Sequence, residues 1–343
     1  MEFRRIDIQG YEKVVIATDK ESGLKAIISV HNTSLGPAVG GTRLYPYNSE
    51  QEALEDVLRL SKGMTYKSSL AGVDFGGGKS VIIANPQQKN TKLLKAFGRF
   101  VNSYRGIYNC AEDVNTSVED MEVIHEVTEH VMGLKNKGGD PSPLTALGVF
   151  ASIKATAEKK LGKPLSETHV AIQGLGHVGK YLFEMLYKEG AKLTVTDKNP
   201  DILQEISQRT SVSIVNPENI HKQKCDIFAP CAMGGILNAQ TIPELDCKAV
   251  VGAANNQLQD EIEDAKHLQS RHILYAPDYL VNAGGIINVY IEQSPEGYNK
   301  EKAEKATWHI AETLMEIFDL AEKENILPSV AANHVAEKRF LKA

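Results

Sequence analysis

The chain has 343 residues and a formal net charge of -6. Its length exceeds what one hydrophobic core usually supports, so two domains are expected, with the composition of an ordinary globular protein. The negative balance and the lack of a clustered basic face argue against a nucleic-acid partner, and no apolar run approaches the roughly 20 residues needed to cross a bilayer.

Residues 12–33 hold two β-rich runs separated by Ser22 and Gly23, a predicted hairpin. In AVGGTRLYPY the pair Gly40 and Gly41 interrupts a strand-like run, which marks either a bulge or a point where another group approaches the backbone. A helix is predicted from Ser49, with Glu52 completing a capping box. Val57, Leu60 and Met64 define its inward face, and Lys67 continues that series. A lysine in line with an apolar stripe calls for an anion partner, unless the helix ends by Gly63 and Lys67 snorkels to water. VDFGGGKSVIIANP then sets Gly76 to Gly78 directly before Lys79 and a buried strand, so a tight approach or positive φ is expected there. The order excludes a phosphate-binding P-loop, whose lysine opens a helix rather than a strand. LLKAFGRFVNSY reads as an amphipathic helix and RGIYNCAEDVN as a strand running into Glu112 and Asp113, the strand-end position where α/β folds place chemistry. Asp113 is one candidate cap for the next helix, but Ser117, with Asp120 three residues on, is the better one.

The segment GLKNKGGDPSP, residues 133–143, replaces periodicity with glycine, proline and charge and reads as a domain boundary and hinge. After the helical TALGVFASIKATAEKKLG the pattern becomes β/α. THVAIQ is a strand, GLGHVG the turn into a helix, and AKLTVTD the next strand, ending in Asp197. In that context Gly174 permits the tight turn, Gly176 lets a pyrophosphate approach the backbone, and Gly179 allows close helix–strand packing. Asp197 would accept from a ribose hydroxyl and favour NAD over NADP, a preference that Lys198 softens. CDIFAPCAMGGILN, KAVVGAANNQL and HILYAPDYLVNAGGIINV each end an apolar strand in small or amide residues. Asn255 and Asn282 are placed near a nicotinamide, with simple turn roles as the competing reading. A long C-terminal helix carries Trp308, Ile310 or Ala311, Met315 and Phe318 as a packing face. Cys110, Cys225, Cys231 and Cys247 lack metal-ligand spacing and read as buried thiols of a reducing compartment, with no metal site. The N-terminus lacks a signal-peptide core, so a cytoplasmic location is expected.

The segments LGPAVGGTRLYPY, GMTYKSSLAGVDFGGGKSVIIANP, AEDVNT, DPSPLTALGV, GLGHVG, GAANNQL and NAGGIINV cover most of the chain. Together they resemble the amino-acid dehydrogenases, in the leucine, phenylalanine and valine dehydrogenase branch. The resemblance implies an α/β protein of two domains: a substrate-binding and dimerisation domain over 1–138 and a doubly wound Rossmann domain for NAD over 139–305, with the reaction in the cleft between them. Helices over 306–343 would pack back on the cleft or the first domain. A homo-oligomer, dimer or octamer, is implied, acting on a small-molecule amino acid.

By the family's motifs, Lys67 would bind the substrate α-carboxylate beside Gly40, Gly41 and Met64. Lys79 would activate water and stabilise the carbinolamine oxygen, Asp113 would shuttle protons, and Asn282 would hold substrate or nicotinamide. Thr145, His177, Val178, Cys231, Ala232 and Ala253 complete the expected cofactor site. Val39, Ala111, Ile286 and Val289 would line an aliphatic side-chain pocket suited to leucine, valine or isoleucine. Phenylalanine, valine or glutamate specificity is the near alternative, and a non-catalytic NAD-binding protein the distant one. Two departures stand out: Asn115 occupies a position where glycine is usual, and the C-terminal tail is short against the family's longer members.

Overall fold

A mixed six-stranded sheet organises the first of two units, which comprises Met1–Gly139, Val289–Tyr298 and Ala336–Ala343. The computed structural model describes residues 1–135, 138–210 and 212–342. Asn136 and Lys137, inside the boundary segment expected over 133–143, lie outside the described residues, as do Ser211 and Ala343. The strands are β1 (Glu2–Ile6), β2 (Lys13–Asp19), β3 (Leu24–Asn32), β4 (Ala38–Tyr45), β5 (Gly76–Ile83) and β6 (Tyr108–Glu112), in the spatial order β1-β2-β3-β5-β4-β6. β2 and β3 form the expected antiparallel hairpin, with Gly23 at φ +76° in its turn. β4 runs parallel to both β5 and β6.

Alternation along the strands feeds two cores. Val14, Ile16, Ile27 and Val81 meet Ala53 and Val57 of α1 (Glu50–Leu70) on one face. Val15, Ala17, Ala26, Ile28 and Ile82 meet Leu93, Phe97 and Phe100 of α2 (Thr91–Asn102) on the other, joined by Met121 and Ile124 of α3 (Val118–His125).

Helix α1 starts as predicted, with Ser49 accepting from the Glu52 amide, but it continues through Gly63 to Leu70, so Lys67 is helical. Its buried face is Ala53, Val57, Ser61, Thr65 and Ser68: Val57 is buried as expected, but Leu60 and Met64 are only half-buried. The reason is the strand beneath. A Cβ on Gly77 would enter Thr65 and lie 2.6 Å from the Ser61 carbonyl. Helix and strand therefore approach too closely for large side chains on either, and small or polar residues fill the seam. Gly76 to Gly78 keep negative φ, so close approach rather than unusual backbone conformation explains the triplet.

The second unit, Asp140–Asn288 with Asn299–Val335, is a doubly wound parallel sheet. It begins with α4 (Ser142–Ala155), which runs on as a π-helical turn over Thr156–Lys160. Then come β7 (His169–Gln173), α5 (His177–Lys188), β8 (Lys192–Thr196), α6 (Pro200–Arg209), β9 (Ser213–Ile214), β10 (Ile227–Pro230), β11 (Ala249–Val250), α7 (Glu263–Ser270) and β12 (Leu274–Tyr275). The order β12-β11-β10-β7-β8-β9 reverses direction between β7 and β10, the switch point where such sheets hold a dinucleotide. Helices α8 (Asp278–Val281), α9 (Gly284–Glu292), α10 (Lys300–Glu324) and α11 (Pro328–Phe340) complete the chain. The division between units falls inside α9, after Asn288, and inside α11, after Val335. Along α10 the buried face holds Ile310, Ala311, Leu314, Met315 and Phe318, whereas Trp308, expected on that stripe, is 41% exposed and packs its edge on Phe150.

Among the described residues no helix is long and apolar enough to cross a membrane, and no cluster of histidine, cysteine and carboxylate side chains could hold a metal ion.

Candidate active site

In the first unit three neighbouring strands converge on one point. Lys79 projects from β5 and forms an ion pair with Asp113, which follows directly on β6. Gly41 of β4 lies between them: a Cβ there would stand 2.7 Å from the Asp113 Cβ and 3.2 Å from Lys79 Nζ. The β4 register with β5 and β6 has no shift, so the Gly40–Gly41 pair is not a bulge. Gly40 instead serves the opposite face, where a Cβ would strike the Gly78 carbonyl, and its own carbonyl accepts from the buried Tyr108 hydroxyl at 2.8 Å.

The loop carrying Asp113 is held on several sides. The Asp113 amide donates to Thr116 Oγ1 (2.8 Å), and that hydroxyl contacts the Thr42 carbonyl at 2.8 Å. Ser117 caps α3 with Asp120 in a reciprocal capping box, which leaves the Asp113 carboxylate for other contacts. Asn115 takes up φ +60°, the left-handed conformation that glycine adopts freely and asparagine tolerates. Its Nδ2 donates to the Leu44 carbonyl at 3.0 Å, so the loop is kept without glycine.

Burial pushes the Asp113 carboxyl up, but the Lys79 ammonium and then the Arg43 guanidinium outweigh it and hold the group below the ordinary carboxylate value. Its neighbour Glu112 moves the other way, raised by burial and by the charges of Glu119 and Asp113. Arg43 escaped the sequence reading, although alternation places it on the same face of β4 as Gly41. Its Nε lies 3.7 Å from Asp113 Oδ2, while Nη1 pairs with Asp56 Oδ2 at 2.8 Å.

The other residues expected around the substrate are distributed as follows. Lys67 and Met64 sit half-buried on α1. Val39 is buried on β4 and shares the face of Gly41; the β4–β6 register sets Ala111 beside Gly41, on that face too. Ile286 and Val289 share a face of α9, Ile286 in the second unit and Val289 in the first.

The residues expected around a dinucleotide lie in the second unit. Gly174 ends β7 at φ +95°, where a Cβ would also collide with Ala232, and a Cβ on Gly179 would run into the Gly174 carbonyl. Gly176 is the N-cap of α5 and provides no side-chain cap, so the first amides of that helix, at His177, Val178 and Gly179, face outward as an anion cradle. A Cβ on Gly176 would meet nothing within 4 Å, so the space on that side is open.

Asp197 already has protein partners. One oxygen accepts from the Leu175 amide (2.7 Å) and the other from the Asn199 amide (2.8 Å), so it shapes the glycine turn. Lys198 is exposed beside it. Cys231 adjoins the turn through its amide, which donates to Gln173 at 2.8 Å, and burial pushes its thiol up to about 12.

Farther along the sheet, Asn282 Nδ2 donates to the Ala253 carbonyl (3.2 Å) and to Asn255 Oδ1 (2.7 Å), bringing three of the expected residues together. The loop holding them is set by two residues the sequence reading missed. Buried Gln257 donates to the Gly252 and Ala254 carbonyls, and its amide donates to Asp278 Oδ2 at 3.1 Å. Thr145, near the start of α4, packs against the NAGG run: a Cβ on Gly284 would enter the Leu144–Thr145 peptide, and one on Gly285 would stand 3.4 Å from Thr145 Oγ1. These residues fit a dinucleotide by three observations: a switch point, an uncapped helix N-terminus and a carboxylate at the end of the second strand.

Residues 11–130 match the profile described as "Glu/Leu/Phe/Val dehydrogenase, dimerisation domain", and residues 140–206 and 196–343 match "Glutamate/Leucine/Phenylalanine/Valine dehydrogenase". The chain is 47% identical to leucine dehydrogenase of Geobacillus stearothermophilus, over 98% of this chain and 93% of that one. It is 46% identical to L-tryptophan dehydrogenase of Nostoc punctiforme, over 98% and 96% of the two. The crystal structure of L-tryptophan dehydrogenase from Nostoc punctiforme superposes with a TM-score of 0.89 at 44% identity, covering 97% of this chain and 96% of that one. Profile, relatives and architecture agree over nearly the whole length, and the chain belongs to the Glu/Leu/Phe/Val dehydrogenase family of NAD(P)-dependent amino-acid dehydrogenases.

Proposed function

We propose that the protein catalyses the reversible, NAD-dependent oxidative deamination of a branched-chain L-amino acid, leucine foremost with valine and isoleucine, to the 2-oxo acid and ammonia. The observation that carries this reading is the Lys79–Asp113 pair, meeting in the space that Gly41 leaves, in a chain of this family. NAD, when bound, accepts the hydride from the substrate Cα. The first amides of α5 and the glycine turn would hold its pyrophosphate, Asp197 its ribose hydroxyls, and Asn255 and Asn282 its nicotinamide end.

The chain's own residues then manage protons and charge. Lys67 neutralises the substrate α-carboxylate. Asp113, kept ionised beside Lys79, takes a proton from the substrate ammonium so that the nitrogen lone pair can assist loss of hydride. Water adds to the resulting iminium carbon, and Lys79 activates that water and stabilises the carbinolamine oxygen. Asp113 returns a proton to nitrogen as ammonia leaves. The preference for NAD over NADP rests on Asp197, whose carboxylate would repel a 2′-phosphate.

Specificity for an aliphatic side chain is supported by Val39, Ala111, Ile286 and Val289, all small or aliphatic, and by the similarity to leucine dehydrogenase. The similarity to tryptophan dehydrogenase favours a second reading, an aromatic substrate, since one methylene changes discrimination by only about 1–3 kcal/mol. A homo-oligomer is supported by the dimerisation-domain profile over 11–130. The test is steady-state NAD reduction with leucine, valine, isoleucine, phenylalanine and tryptophan. The highest kcat/KM should fall on leucine, and no NADH from any of the five would refute the assignment.

A further inference from the structure

We propose that Arg43 is a positioning residue for the reaction: anchored by Asp56 and Tyr47, it holds the Asp113 carboxylate in place and in charge when Lys79 turns to the reacting oxygen. The proposal rests on the acid–base role given to Asp113 above.

Lys79 must exchange protons during turnover, and while its amine is neutral it gives Asp113 no counter-charge. At rest it pairs with Asp113. When it is the neutral amine that activates the attacking water, a carboxylate that is only 21% exposed lacks its main counter-charge. A second cation is already waiting. Arg43 Nε is buried, makes no hydrogen bond among the described residues, and lies 3.7 Å from Asp113 Oδ2, a gap that a small side-chain movement would close.

The guanidinium is fixed from behind. Nη1 pairs with Asp56 Oδ2 at 2.8 Å, and that oxygen also accepts from the Tyr47 hydroxyl at 2.6 Å. Arg59 contacts the other Asp56 oxygen at 3.1 Å. Arginine suits this post because its planar fork can address two carboxylates at once and never deprotonates, whereas the catalytic lysine must exchange protons. The anchor also keeps Arg43 from collapsing onto Asp113 and competing permanently with Lys79.

The charges around Asp113 are Lys79 from β5, Arg43 from β4 and Glu112 from the end of β6. Behind Arg43 stand Asp56 on α1 and Tyr47, and α1 carries Lys67 about three turns beyond Asp56. Burial opposes ionisation of Asp113, and Lys79 and Arg43 both favour it. Removing Arg43 should therefore raise the pH at which Asp113 takes up a proton.

The experiment is the pH profile of kcat/KM for leucine oxidation by wild type, Arg43→Met, Arg43→Lys, Asp56→Asn and Asp113→Asn, with NADH binding measured for each. For Arg43→Met the acidic limb should move up by about one pH unit, with kcat falling roughly 10-fold or more. Arg43→Lys should restore part of the shift, Asp56→Asn should show a smaller shift in the same direction, and NADH affinity should stay as in wild type. An unmoved acidic limb in both Arg43→Met and Asp56→Asn overturns the proposal, provided Asp113→Asn abolishes turnover. If Asp113→Asn turns over like wild type, the acid–base reading itself falls and the role of Arg43 falls with it.

Discussion

A methyl group on Gly41 would come within 2.7 Å of the Asp113 Cβ and 3.2 Å of Lys79 Nζ. The space that lets the two charged groups meet is thus the missing side chain of a third strand. We expect Gly41→Ala to cost about 1–3 kcal/mol, because its Cβ would also stand 2.7 Å from the Glu112 carbonyl, and to lower kcat/KM for leucine by about 100-fold, because displacement of the pair spoils its geometry. Steady-state kinetics alongside thermal unfolding will decide; unchanged kinetics would remove Gly41 from the site.

The second close contact is structural. Thr65 and Ser61 of α1 lie directly on Gly77 of β5. Gly77→Ala should cost about 1–3 kcal/mol in overpacking, read as a lower urea midpoint. Because β5 and α1 carry Lys79 and Lys67, the KM for the amino acid should rise while NADH affinity stays unchanged.

The Asp113 pKa predicts how the ion pair depends on pH. Since its folded value is depressed, the pair's contribution is fully present above the unfolded carboxylate value, near 3.9, and is lost as pH falls through the lower folded value. Urea unfolding of wild type and Asp113→Asn at a series of pH values should give a stability difference that is constant from pH 7 to about 5 and shrinks below about 4. A difference that grew on acidification would contradict the sign.

Near the C-terminus, Arg339 closes the end of the helix that carries Lys67. It donates to the Val73 carbonyl at 2.8 Å and to Asp74 at 2.6 Å, with longer contacts to the Ser68 and Ser69 carbonyls. Tyr66 donates to Glu337 at 2.7 Å, and the Ser69 hydroxyl to the Ala336 carbonyl at 2.8 Å. Arg339→Ala should destabilise the protein by about 1–3 kcal/mol, as loss of charge-assisted bonds to helix-end carbonyls does. Chemical denaturation will measure it.

For the cofactor, Asp197→Ala should raise the NADP-to-NAD ratio of kcat/KM by about tenfold. It should also weaken both cofactors somewhat, because the carboxylate holds the Leu175 amide in the glycine turn. Paired kinetics with the two cofactors separate these effects, and an unchanged ratio would take Asp197 out of the selection.

Much of the architecture was legible in the residue pattern because it rests on local rules. The β-rich runs on either side of Ser22 and Gly23 marked β2 and β3, the Ser49 and Ser117 caps marked two helix starts, and the GLGHVG unit between strand and helix marked the nucleotide half. The two-residue β9 left too little pattern to read, whereas the equally short β11 was marked by the apolar run KAVV. The α1 face was misread because apolar periodicity assumes that an inward face is large and greasy. Here the sheet below is glycine, and the close seam takes serine and threonine instead.

By itself the sequence determined the GGGK stretch, the GLGHVG turn and the family to which the chain belongs, because these depend on residue identity and short spacing. Only the tertiary structure decided that Gly40 and Gly41 serve opposite faces rather than a bulge, and that Asn115 replaces glycine without loss of the loop. It alone placed Arg43 against Asp113, which stands 70 positions along the chain. Parallel β4 and β6 bring those residues side by side, and no local pattern encodes a neighbour that arrives on another strand.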